Sequence, residues 1–262
     1  MGADWQLFRR QSAWTAALAA VLVLLLWNIP LLDGVVYPLR LFVTFIHEAG
    51  HGLAALLTGG EFIRFEIMAN GAGLATTRGG LRAVILPAGY IGAALFGTVL
   101  FYINNRVPYP RVVAAGVAGA LALLSLIYGE TSRVALLIGG ISAGVLLLLA
   151  LLANRPTLGV VMNLLALMTA LNAVLDLFTL TRTTQTVTAD GRVLNDAAAF
   201  ALEVMPGSSP AVWAWLWAMG SAGLLGIVVY RSILRPLWVE TLVHRQQTRK
   251  LQGQVTSKYS DE

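Results

Sequence analysis

Phe42 to Gly60 reads FVTFIHEAGHGLAALLTGG, and at its centre stands His47-Glu48-Ala49-Gly50-His51, an H-E-x-x-H pattern. On a helix the two histidines are four apart, so they share one face about 40° apart in rotation. That spacing lets two imidazole nitrogens bind one zinc ion, while the glutamate beside them can take a proton from a metal-bound water. The chain has 3 histidines in 262 residues, so composition alone would produce such a pattern in about one chain in a thousand. The plain alternative is a pair of packed histidines beside a neutralised glutamate. The motif's setting argues against it, because ionisable groups are costly in an apolar run and usually functional there.

Working outward, 57% of the chain is hydrophobic, 12% is charged, and the mean hydropathy is +0.74. A soluble domain of this length needs more charge for its surface, so the composition predicts a polytopic membrane protein. The predicted fold is an all-α bundle of about six to eight transmembrane helices. It forms one integral membrane domain over residues 1–233, with a basic polar tail over 234–262. Cysteine is absent, which removes disulfides and thiolate ligands. The net charge of +5 comes from loops and tails, a topology signal rather than a nucleic-acid surface.

Seven apolar runs are read as spans: Ser12 to Leu32, Pro38 to Leu57, Leu81 to Asn104, Arg111 to Tyr128, Arg133 to Ala153, Pro156 to Leu180 and Ala211 to Ile233. Arg9 and Arg10 before the first run favour a cytoplasmic N-terminus. The motif helix then ends toward the cytoplasm, with the histidines 6 to 10 residues, or about 9 to 15 Å, from that end. Seven spans put the basic tail on the opposite side, which the charge rule does not favour. The third run contains LPAGYIGAALFG, whose small residues predict close packing on the equally small-residued motif helix. Pro87 is a possible kink, and Tyr90 is read as packing. Trp213, Trp215 and Trp217 are read as interface anchors.

Between the second and third spans, alternating residues from Phe62 to Met68 and a turn at Asn70 to Gly73 predict a β-hairpin. It is either a membrane-surface connector or a strand edge for an extended peptide, with Asn70 and Gly71 placed toward that substrate.

Glu48 and Asp176 are the acidic side chains read as lying well inside the membrane. An aspartate in lipid needs a partner, and a zinc ion on two histidines needs a third ligand, so Asp176 is the expected one. Asn172 lies one turn earlier on its face. Thr181 to Pro210 is polar; Asn195 or Asp196 is placed to cap a short helix from Ala197 to Val204. Asp196 could instead fold back as a ligand or gate, and is the runner-up third ligand.

Taken together, HEAGHGLAALLTGG, GAGLATTRGG followed by LPAGYIGAALFG, LNAVLDLF, and NDAAAFALEVMP before a tryptophan resemble the site-2-protease-type zinc metallopeptidases of the membrane. They are most similar to the small B-like subgroup of bacterial, plant and fungal proteins. The resemblance runs from about residue 42 to 215. It implies a zinc endopeptidase cutting in or beside the membrane, in the plasma membrane of a bacterium. By position, His47 and His51 would be zinc ligands, Glu48 the general base, and Asp176 the third ligand. Asn172 matches an asparagine that holds substrate in related enzymes. The chain departs from better-known members in having Leu177 after Leu175-Asp176 where they have glycine. The small subgroup also carries an aspartate where Asp196 stands, so the third ligand stays open between the two. The implied partners are a membrane-protein or peptide substrate and the bilayer, with no nucleic acid. Two other classes remain: an inactive relative that binds membrane proteins, and a proton-coupled transporter relaying through Glu48 and Asp176. The paired broken helices usual in transporters are not evident.

Overall fold

Pro30 decides where the first helix stops. It has no N–H and disfavours helical geometry at the residue before it. Accordingly Ile29 is extended (φ −112°, ψ 102°). In the computed structural model, which describes residues 3–182, 195–239 and 241, α1 spans Ala3–Asn28, short of the expected Leu32. A 3-10 turn at Pro30–Leu32 leads directly into α2, Asp33–Leu57. α2 thus begins before the expected Pro38, which sits inside the helix and removes one hydrogen bond to the preceding turn.

The remaining elements are β1 (Glu61–Ile67), β2 (Gly73–Arg78), α3 (Arg82–Arg106), α4 (Pro110–Tyr128), α5 (Arg133–Leu152), α6 (Arg155–Arg182), α7 (Asp196–Glu203) and α8 (Pro210–Val229). Helix continues beyond α8 through a π turn at Tyr230–Leu234 to Val239, past the expected end at Ile233. The polar stretch 183–194 and most of the predicted basic tail lie outside the described residues. Six described helices, α1, α3, α4, α5, α6 and the α8 run, are long and apolar enough to cross a membrane. The chain is a multi-pass, all-α membrane protein with one small hairpin. α2, the seventh expected span, is not among the six. Arg40, His47, Glu48 and His51 lower its hydropathy, and Glu48 and His51 are buried by protein.

α2 and α3 are antiparallel and very close. Phe42 meets Phe96 with ring centroids 6.4 Å apart, and His51 Nδ1 lies 2.7 Å from the Ile85 carbonyl. A Cβ on Gly50 would overlap the Ala88 carbonyl, so this approach requires glycine. The expected packing of the smooth side of α3 on the motif helix is what the structure contains. α3 remains one helix through Pro87. Its other half packs antiparallel on α6, where Gly97 faces Ala166 and Ala170. There Asn104 Nδ2 donates to the Gly159 carbonyl at 3.1 Å, and Asn105 Nδ2 to Asn163 Oδ1 at 2.6 Å.

The hairpin folds back along α2. Its turn is fixed by Tyr37 Oη donating to the Ala69 carbonyl (2.7 Å) and Thr44 Oγ1 donating to the Gly71 carbonyl (2.9 Å). Phe62 stacks on Tyr128 at 4.1 Å, and Phe65 meets Phe45 edge-on at 4.8 Å. Strict alternation would have put Phe62 and Phe65 on opposite faces. An irregularity between Phe62 and Arg64 shifts the register, so both turn into the core. Ser132, the N-cap of α5, binds both the N–H and the carbonyl of Ile67 (each 3.2 Å) and anchors the far end of β1.

α7 packs one face, Ala197, Phe200 and Ala201, against α3 and α8. Phe200 lies 4.6 Å from Trp213 and 5.4 Å from Trp217. Of the three tryptophans expected at the interface, only Trp215 is exposed. Trp213 and Trp217 are four apart and face inward together.

Candidate metal centre

The helical spacing of His47 and His51 brings their Nε2 atoms within 3.1 Å of each other. Asp196 Oδ2 completes a triangle, 3.2 Å from His47 Nε2 and 3.3 Å from His51 Nε2. Tetrahedral zinc with ligands at about 2.0–2.1 Å separates any two of them by about 3.3 Å. The edges therefore fit three corners of such a site. Two imidazole nitrogens facing each other at this range also need a cation or shared proton between them. His51 Nδ1 donates to the Ile85 carbonyl, which leaves the Nε2 lone pair directed into the triangle. Burial works against ionising Asp196, but the two imidazoles outweigh it and hold the carboxyl well below its ordinary range.

The third corner differs from the expected one. Asp176 lies outside the triangle, though near enough for its charge to act on His47. It lines the same cavity of about 550 Å³, with Asn172 Nδ2 donating to its Oδ2 at 2.8 Å. This i, i+4 pair gives the aspartate a polar partner of the kind the apolar run demanded. Asp196 is free for the triangle because its neighbour takes the cap. Asn195 Oδ1 accepts from the Ala198 N–H at 2.9 Å, leaving Asp196 at the first helical position.

Glu48 is buried beside the hairpin. The Ala75 N–H hydrogen-bonds its carboxyl group, and Gly73 lies so close that a Cβ would overlap Oε1. Of the residues expected to contact substrate, Asn172 and Gly71 line the cavity. Asn70 does not: its Oδ1 accepts from the Ala72 N–H at 3.0 Å and shapes the turn. Gly71 has φ +91°, the conformation that turn requires. Gly89 closes the opposite side, and a Cβ there would overlap both Nε2 atoms. Its place in a small-residue stretch was legible; its position over the imidazoles was not. Tyr90 packs its ring edge-on against His47 at 4.5 Å, on the cavity wall. Arg82, first residue of α3, binds Glu203, last residue of α7, through two hydrogen bonds of 2.6 and 2.9 Å. That contact holds the Glu203 carboxyl below its ordinary value. The pair therefore persists as pH falls to that lowered value and is lost below it.

No curated protein and no solved structure matches the chain. A family model described as Peptidase M50B-like matches residues 15–228, which takes in the motif helix, the hairpin, Asp176 and Asp196. On that match over most of its length, the chain belongs to the Peptidase M50B-like family.

Proposed function

We propose that the protein is a zinc-dependent endopeptidase that hydrolyses peptide bonds in or near transmembrane segments of other membrane proteins. The observation that carries this reading is the triangle of His47, His51 and Asp196 with Glu48 beside it. A transporter relay needs no such convergence of three ligand atoms. Under this reading His47, His51 and Asp196 hold the ion, and Asp176 stays outside the ligand set.

Bound there, zinc supplies an acidified water and a Lewis-acid contact for the scissile carbonyl. Glu48 takes a proton from the attacking water as its oxygen bonds to the carbonyl carbon. It then returns a proton to the amide nitrogen as the C–N bond breaks. Burial of Glu48 and its hydrogen bond from Ala75 hold the carboxyl in place for both transfers. A transmembrane substrate hides its backbone groups in its own helix, so it must unwind locally before it can be cut. Among the described residues β2 pairs with β1 alone, and its other edge runs past Glu48. An unwound strand can pair there, with Gly71 at the turn and Asn172 across the cavity. The proposed setting is the plasma membrane of a bacterium, with the N-terminus cytoplasmic. The partners are the bilayer and a membrane-protein or peptide substrate, and no nucleic acid.

The test is cleavage of a model membrane peptide by the purified protein in detergent, with zinc measured on the same sample. One zinc per chain, and cleavage lost in Glu48→Gln with the zinc retained, is the expected result. A folded protein that takes up no zinc when it is supplied would leave the inactive relative or the transporter.

A further inference from the structure

α7 is eight residues long, too short to hold its own conformation. Its position depends on what fastens it. One face is held by Phe200 among Trp213, Trp217 and Leu86. The other face carries Asp196, Ala199 and Glu203 at i, i+3 and i+7, and all three line the cavity. Asp196 at one end meets the imidazoles. Glu203, about 10 Å further along the helix, meets Arg82 in a two-point guanidinium–carboxylate contact.

Arg82 begins α3, the helix that carries Gly89 over the imidazoles and Ile85 against His51 Nδ1. The contact therefore ties the helix bearing the third corner of the triangle to the helix that orients the second. An aromatic cluster alone permits sliding and rolling of a short helix. A planar fork on a carboxylate fixes both distance and angle.

We infer that Arg82 and Glu203 are a positioning pair that sets the Asp196 carboxylate against His47 and His51. This rests on the reading that those three residues hold zinc. Each side chain is nearly half exposed (46% and 44%), so the pair acts through geometry more than through stability. Neither residue touches the reacting atoms.

The experiment is chelator competition for zinc on full-length protein in detergent, together with the visible absorption of the cobalt-substituted form. Wild type is compared with Arg82→Gln, Glu203→Gln, Arg82→Lys, the exchange Arg82→Glu/Glu203→Arg, and His47→Ala. Affinity is expected to fall about 10- to 100-fold in each Gln variant, the range for groups that orient metal ligands. The cobalt spectrum should change with it. The exchange should recover most of the affinity, and Arg82→Lys, which lacks the fork, should recover only part. Thermal melting of every variant checks folding. Single variants that melt differently but bind zinc as wild type does would overturn the pair as a positioning device. So would single losses that the well-folded exchange leaves uncorrected. A wild type that binds no more metal than His47→Ala would overturn the zinc reading and the pair with it, which separates the two failures.

Discussion

α2 and α3 form one antiparallel helix pair, and α4 and α5 form another; both are rich in small residues. In α4 and α5 most glycines face open space: nothing would meet a Cβ at Gly116, Gly119, Gly140 or Gly144. The pair packs through Ala114, Ala118 and Leu121 against Ala143, Leu146 and Ala150, and Arg111 reaches the Ala153 carbonyl only at the end of the contact, at 3.3 Å. In α2 and α3 the glycines are spent differently. Gly50 admits the α3 backbone, and Gly89 admits two imidazoles. The same composition serves tolerance in one pair and a fixed site in the other. What distinguishes them is the polar cargo between the helices.

Four predictions bear on that contrast. The largest effect is expected from Glu48→Gln. Peptide cleavage should fall by about 10²- to 10⁴-fold, the range for a lost general base, while bound zinc stays the same. A variant that still cuts at the wild-type rate would remove α2 from the chemistry. Next, Asp196→Ala should lose zinc in elemental analysis and Asp176→Ala should keep it. The reverse outcome would return the third ligand to α6. Third, Gly89→Ala should lose about 1–3 kcal/mol through overpacking, read as lower melting temperature and weaker zinc retention. Gly92→Ala, whose Cβ would only touch the Gly50 Cα at 3.5 Å, should lose much less; equal losses would make Gly89 an ordinary packing position. The smallest effect belongs to the other pair. Gly140→Ala should be neutral or raise stability by up to about 1 kcal/mol. A clear drop in melting temperature would mean that α5 has a neighbour on that face.

The parts of this molecule that follow from local geometry were legible in the sequence. The i, i+4 spacing of His47 and His51 holds wherever the helix sits, and so does the turn at Gly71. The seven apolar runs correspond to seven helices, with ends displaced where Pro30 stopped one and Pro38 failed to start another. The third corner of the triangle was not legible as such. Asp176 and Asp196 are both carboxylates after an apolar or polar run, and the choice between them depends on where α7 docks. That docking is set by Phe200 among two tryptophans and by Glu203 on Arg82, contacts distant in sequence. Asn195 and Asp196 were equivalent caps until one was seen to take the N–H. The hairpin's existence followed from alternation, but its course along α2 depended on Tyr37, Thr44 and Ser132.

The triangle also has an order in time. His47 and His51 lie in the first fifth of the chain, and Asp196 begins its last quarter. A ribosome delivers the two imidazoles, the hairpin and four further membrane helices before it delivers the third corner. Until α7 emerges and docks, the nascent chain holds only two corners of the triangle. The complete triangle is therefore itself a record that α1 through α7 have been made and folded, so a chain stopped before α7 would lack it.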